Sequence, residues 1–205
     1  MAPARSRFSC SRGRTFPSGT SSSRRSSRSV GNFQESEQLQ DGHLLARLTL
    51  PAQDLQLDWR RFSLVANYLA EYSAYHFEQK DRAENLISSV FYELIERLAS
   101  SSLREARLDI RFSAFAGWLL FELRSSFPSE ELAKLRELLA ELQGGDQEEY
   151  YRRLLAADLE AEANRRKLGL AMVAHDYQAR LSGRLDSADG SVVLRALVGE
   201  QEIRG

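Results

Sequence analysis

The chain has 205 residues, of which 42% are hydrophobic and 28% charged, with a formal net charge of −1. That length holds one domain plus a tail, or at most two small domains, and the composition is ordinary for a soluble globular protein. A lone cysteine, Cys10, excludes an intrachain disulfide or a cysteine-built metal site and suits a reducing cytosol, while His43, His76 and His175 lack ligand-like spacing.

Residues 1–30 differ from the rest. They carry seven Arg and ten Ser, no acid and no Lys. Their few apolar residues form no run long enough for a signal-peptide core or a membrane span. Such a stretch cannot repay the entropy of ordering, so residues 1–38 are predicted to be a disordered Arg/Ser-rich tail, and removal of residues 1–30 is expected to leave stability almost unchanged. A phosphate- or nucleic-acid-binding arm and a transit peptide are the alternatives for this composition. Without residues 1–30 the chain holds 21 basic residues (28 less the tail's seven) against 29 acidic ones, a net charge of −8. An acidic body gives no support to nucleic-acid binding outside the tail. No membrane partner is expected, and the expected compartment is the cytoplasm.

The folded domain is assigned to 39–200. HLLARLTL (43–50) reads as a strand that Pro51 ends. DWRRFSLVANYLAEYSAYHF (58–77) has Trp59, Phe62, Val65, Leu69 and Tyr72 at helical spacing, with Asp58 placed to cap it. Its aromatic series, Trp59, Phe62, Tyr68, Tyr72, Tyr75 and Phe77, reads chiefly as core and edge packing, and its spread around the helix also permits a partner-binding face. AENLISSVFYELIERLASSS (83–102) is an amphipathic helix, capped by Asp81, in which Leu86, Val90, Tyr92, Leu94 and Leu98 form the apolar side. Glu93 and Arg97 lie one turn apart on one face of it. ARLDIRFSAF (106–115) alternates with period two, a turn at Ala116-Gly117 follows, and WLLFELRS (118–125) completes a hairpin. A helix is predicted over 129–143, with Glu130 and Glu131 in its first turn and Gly144-Gly145 as its stop. A second is predicted from Asp146 to about Arg166, with Glu148–Arg152 and Glu149–Arg153 charge pairs, and a third over 167–183, closed by Gly183. The chain closes with a hairpin over 184–198 turning at Asp189-Gly190. This order predicts a two-layer α/β sandwich: a mixed, mainly antiparallel sheet with helices on one face.

The order, with two stretches, resembles the GHKL (Bergerat-fold) ATPase domain of histidine kinases and anti-sigma-factor kinases. FYELIERLAS (91–100) is similar to that family's first motif, a helix bearing Glu and, four residues on, Asn. LGLAMVAHDYQARLSGRLDSADGSVVLRALV (168–198) looks like its C-terminal signature, in which a glycine turn opens a helix and a hairpin finishes the sheet. The resemblance covers 43–198. It implies that Glu93 stands at the general-base position and Arg97 at the position of the Asn that holds magnesium, and that Gly169 is what remains of the phosphate-binding Gly-x-Gly. A guanidinium has five donors and no acceptor, so Arg97 cannot ligate a metal. The family's second motif, Asp-x-Gly-x-Gly, falls at RSSFPSEE (124–131), which has neither Asp nor Gly.

The resemblance with these departures implies a bacterial regulatory protein acting through protein–protein contact, possessing a degenerate ATP-binding domain and no ATPase turnover. Glu93 is then vestigial, and no cofactor or metal is expected. Arg97 is expected in a surface ion pair with Glu93, Glu96 or Glu105. The partner class implied is a small anti-sigma-antagonist (STAS-type) domain. The alternative is an active anti-sigma-type Ser/Thr kinase that binds ATP and magnesium in an altered pocket, with Glu93 activating the acceptor hydroxyl and Arg97 touching a phosphate.

Overall fold

The structure, a computed structural model, describes residues 27–31, 33, 42–157 and 162–204, the side chains of 162 and 163 excepted. Six strands form one sheet: β1 (Ser27–Val30), β2 (His43–Pro51), β3 (Arg107–Phe115), β4 (Trp118–Ser126), β5 (Arg180–Asp186) and β6 (Ser191–Gly199). Their order is β1-β5-β6-β4-β3-β2, and every neighbouring pair is antiparallel, so the predicted mixture of directions is replaced by a uniform one. The helices are α1 (Ala52–Gln56), α2 (Arg60–Ala74), α3 (Lys80–Ser101), α4 (Ser129–Gly144), α5 (Gln147–Leu155), α6 (Glu162–Asp176) and α7 (Gln201–Arg204). The protein is a two-layer α/β structure.

Period-two alternation sends Leu108, Ile110 and Phe112 of β3, with Phe121 and Leu123 of β4, to the helix side, where all are buried. They meet α3, whose Ile87, Val90, Phe91, Leu94, Ile95 and Leu98 are fully enclosed. Three rings join the layers: Phe91 lies 5.6 Å from Phe112 and 4.9 Å from Phe121 in edge-to-face contact, and Phe112 and Phe121 are 4.6 Å apart. Gln56 of α1 holds the far end of α3, its amide donating to the carbonyls of Ala99 (2.8 Å) and Ser102 (2.9 Å). These are carbonyls that the end of the helix leaves without intrahelical partners.

Five boundaries depart from expectation. Ser27–Val30, inside the predicted tail, pair with β5, and Phe33 is buried at 1% exposure, so the folded unit begins before residue 39. Residues 1–26 lie outside the described residues. Asp58 does not cap α2 as its first residue; it accepts from the Arg60 backbone N–H at 3.0 Å while Trp59 takes the cap position. Asp81 sits within the first turn of α3 and makes no cap bond. Gly183 is not a helix stop: α6 ends at Asp176, and Gly183 lies within β5 against Leu139, where a side chain would collide. Asp146 caps α5 as read, accepting from the N–H groups of Glu148 and Glu149, but α5 stops at Leu155 and a new helix begins at Glu162. The hairpin turns fall where expected, with Gly117 and Gly190 at φ of +81° and +73°, which favours glycine. Among the described residues no helix is long and apolar enough to cross a membrane.

Candidate functional site

The site lies where α3 is crossed by α6 and approached by the start of α4. Glu93 faces α6, and a Cβ at Gly169 would fall on its Oε2. The missing side chain is what lets the two helices close over the carboxylate. Burial raises the Glu93 pKa to about 7, and Glu96, a like charge, adds to the rise. No basic group offsets either effect. Gly169 lies inside α6 and not at a helix start, so its N–H belongs to the helix ladder and cannot cradle a phosphate. The phosphate-binding role that the resemblance implies for Gly169 is therefore corrected to a packing role.

Arg97 is one turn further on, but it does not stand in solvent and it is not paired with Glu93, Glu96 or Glu105. It is 5% exposed. Its Nη1 donates to Ser101 Oγ and lies 3.5 Å from Glu131 Oε2. Ser101 Oγ in turn donates to the same Glu131 oxygen at 2.8 Å. Glu131 is also reached by Lys134 Nζ at 2.9 Å and, more distantly, by Arg166 at 3.8 Å. These cations and the Ser101 hydroxyl outweigh burial and hold the Glu131 carboxyl below its usual range. Burial lowers the Arg97 pKa, Glu131 opposing. Its Nε is buried with no hydrogen-bond partner.

The stretch 124–131 explains how Glu131 arrives. β4 ends at Ser126, Pro128 starts the next helix, and Glu131 falls in the first turn of α4, where the positive helix end favours a carboxylate. A cavity of about 400 Å³ opens beside this ion pair, lined by Arg97, Glu131, Lys134, Glu137, Arg166 and Lys167. On the other flank of α3 a groove of about 740 Å³ is lined by Trp59, Phe62, Tyr92, Glu96, Arg165 and Arg166. Among the described residues no group of three or more His, Cys, Asp or Glu side chains is arranged to hold a metal ion.

Sequence reasoning therefore located Glu93, Arg97 and Gly169 in one neighbourhood but missed Glu131, Ser101, Lys134 and Arg166. Glu131 was legible as a first-turn acid; its partner 34 positions earlier was not. A second buried ionic cluster was missed as well. On the outer face of the sheet Arg195 Nε and Nη2 reach Glu122 Oε2 at 2.7 and 2.6 Å, Arg124 Nη2 takes Oε1 at 2.7 Å, and the Arg195 guanidinium lies 3.9 Å over the Phe33 ring. Burial alone would raise the Glu122 pKa, but the two arginines hold it below its ordinary value. A signal was present: Glu122 and Arg195 are single opposite charges within otherwise apolar strand segments, LLFEL and VVLRALV.

A scan against protein-family models gives no match, and a search of the curated proteins gives none either.

Proposed function

We propose that this chain is a cytoplasmic bacterial regulatory protein built on a degenerate GHKL-type domain, working through protein–protein contact and not through ATP turnover. One observation carries the reading: at the position where the resemblance calls for a metal-holding Asn stands a buried arginine, tied to Glu131. A guanidinium offers a divalent cation no lone pair and adds a like charge. Glu131 supplies, from within the chain, the negative charge that a nucleotide would bring. The partner class the resemblance suggests is a STAS-type domain.

The test is thermal unfolding with ATP, with and without magnesium. A ligand at 100 times its dissociation constant stabilises by about 2.7 kcal/mol, a shift easily seen. We expect no shift at millimolar ATP. A magnesium-dependent rise in melting temperature would overturn the reading.

The cations around the cavity favour a second reading, the kinase that binds ATP in an altered way. Glu93, with a pKa of about 7, would then take the proton of an acceptor Ser hydroxyl, and Arg97 would meet a phosphate. Phosphate transfer to a STAS-type domain, lost in Glu93→Gln, would put this reading first.

A further inference from the structure

Helix α2 buries only one side. Phe62, Ala66, Leu69, Ala70 and Ala74 face the protein, whereas Leu64, Tyr68, Tyr72 and Tyr75 are between 57% and 71% exposed. At 100° per residue, positions 61, 64, 68, 72 and 75 all fall within about 40° of one line along the helix. The solvent side of a surface helix normally carries charge; large apolar rings and a leucine left there in a row are the composition of an interface core.

We propose that this face is the two-fold interface between two copies of this chain. The face is complementary to itself. An antiparallel pairing of two α2 helices centred on Tyr68 sets Leu64 of each copy beside Tyr72 of the other. A depression lies there already, lined by Tyr68, Glu71, Tyr72, Tyr75 and His76, with a volume of about 530 Å³. Leu64 is the knob and that depression is the hole, once in each direction, as a two-fold axis requires. The same pairing brings Arg61 of one copy to Tyr75 of the other. Lys80 Nζ already sits 3.9 Å over that ring, so the opposite ring face is the one Arg61 meets. Charge beside the stripe is also asymmetric: Arg61 stands near its start and Glu71 in its far half, while Arg60 is held by Asp58 and Lys80 lies over Tyr75. Antiparallel pairing brings Arg61 of one copy toward Glu71 of the other, and a parallel one would set Arg61 beside Arg61. At the rim lies β2, along which α2 packs, an end strand of the sheet whose outer edge pairs with no strand among the described residues.

The experiment is sedimentation equilibrium of the full chain from about 1 to 100 μM, a span that covers micromolar dissociation. We expect a dimer. Leu64→Glu and, separately, Tyr72→Lys should each weaken it by about 30-fold or more, the effect of losing a central interface residue. Both side chains are exposed, so the circular-dichroism melt of each diluted variant should match that of the parent. If one variant melts early, the other carries the test. Arg61→Glu should weaken the dimer, and adding Glu71→Arg should recover part of the loss. A chain that stays monomeric over the whole range, or a dimer indifferent to both stripe substitutions, overturns the proposal; the first outcome makes a different protein the occupant. The proposal does not rest on the nucleotide-site reading, and its failure leaves that reading intact.

Discussion

Among the described residues two arginines are buried, Arg97 and Arg195, and their sites are built differently. On the sheet's outer face, Arg195 and Glu122 form a closed cluster in which Arg124 takes the remaining carboxylate oxygen and Phe33 covers the guanidinium. In the helix layer, Arg97 shares Glu131 with Lys134 and Arg166, leaves Nε without a partner, and borders a cavity. The first arrangement is what a purely structural ion pair looks like once it is desolvated. The second leaves one guanidinium nitrogen without a protein partner and opens onto a cavity.

The comparison can be broken by mutation. The largest effect should come from Glu122→Ala, which leaves Arg195 buried without its counter-ion. We expect a loss of about 3–5 kcal/mol in chemical unfolding, and near-complete recovery when Glu122→Leu is combined with Arg195→Met. If Glu122→Ala unfolds like the parent, the outer cluster is not a closed structural pair.

An intermediate effect should come from Glu93→Gln, read against pH. The folded pKa of about 7 lies above the model-compound value of 4.5, so between these two pH values the native state holds a proton that the unfolded chain has released. Stability from this group is therefore present at low pH and lost as pH rises through 7. Glu93→Gln should match the parent near pH 4.5 and exceed it by about 3 kcal/mol at pH 8. Urea unfolding at both pH values checks this, and a parent that becomes more stable between pH 5 and 8, with a variant that does not, would contradict it.

The smallest effect should come from Arg97→Met. Glu131 retains Lys134 and Arg166, and the substitution removes an unsatisfied buried donor, so a cost below about 1 kcal/mol is expected. A cost equal to that of Glu122→Ala would erase the distinction between the two sites.

Strands and their faces were the most legible part of the sequence. β3 shows strict alternation, and the Gly117 and Asp189-Gly190 turns need a left-handed glycine, which few sequences offer by accident. The helices from 146 onward were misdivided because charged and apolar residues continue in helical rhythm past Leu155, and nothing local announces the break before Glu162. Gly183 misled for a related reason. A glycine after a helix-like run signals a stop, whereas here it makes room for Leu139 against β5. At the site, spacing within α3 set Glu93 and Arg97 one turn apart, but their partners come from α4 and α6. A single sequence carries no local trace of such distant pairs. Composition also misplaced the start of the fold: Ser27–Val30 offer only one apolar side chain, Val30, yet an edge strand needs backbone hydrogen bonds more than apolar side chains.

That last strand bears on how this protein would be handled. β1 occupies the edge that β5 would otherwise show to water. A version cut at residue 30, where the Arg/Ser composition ends, would expose the hydrogen-bonding groups of β5, with Arg180 and Arg184 as guards. Such a chain could keep its core and still stick to its neighbours, so that the loss would appear first as turbidity at high concentration and only later as a lower melting point.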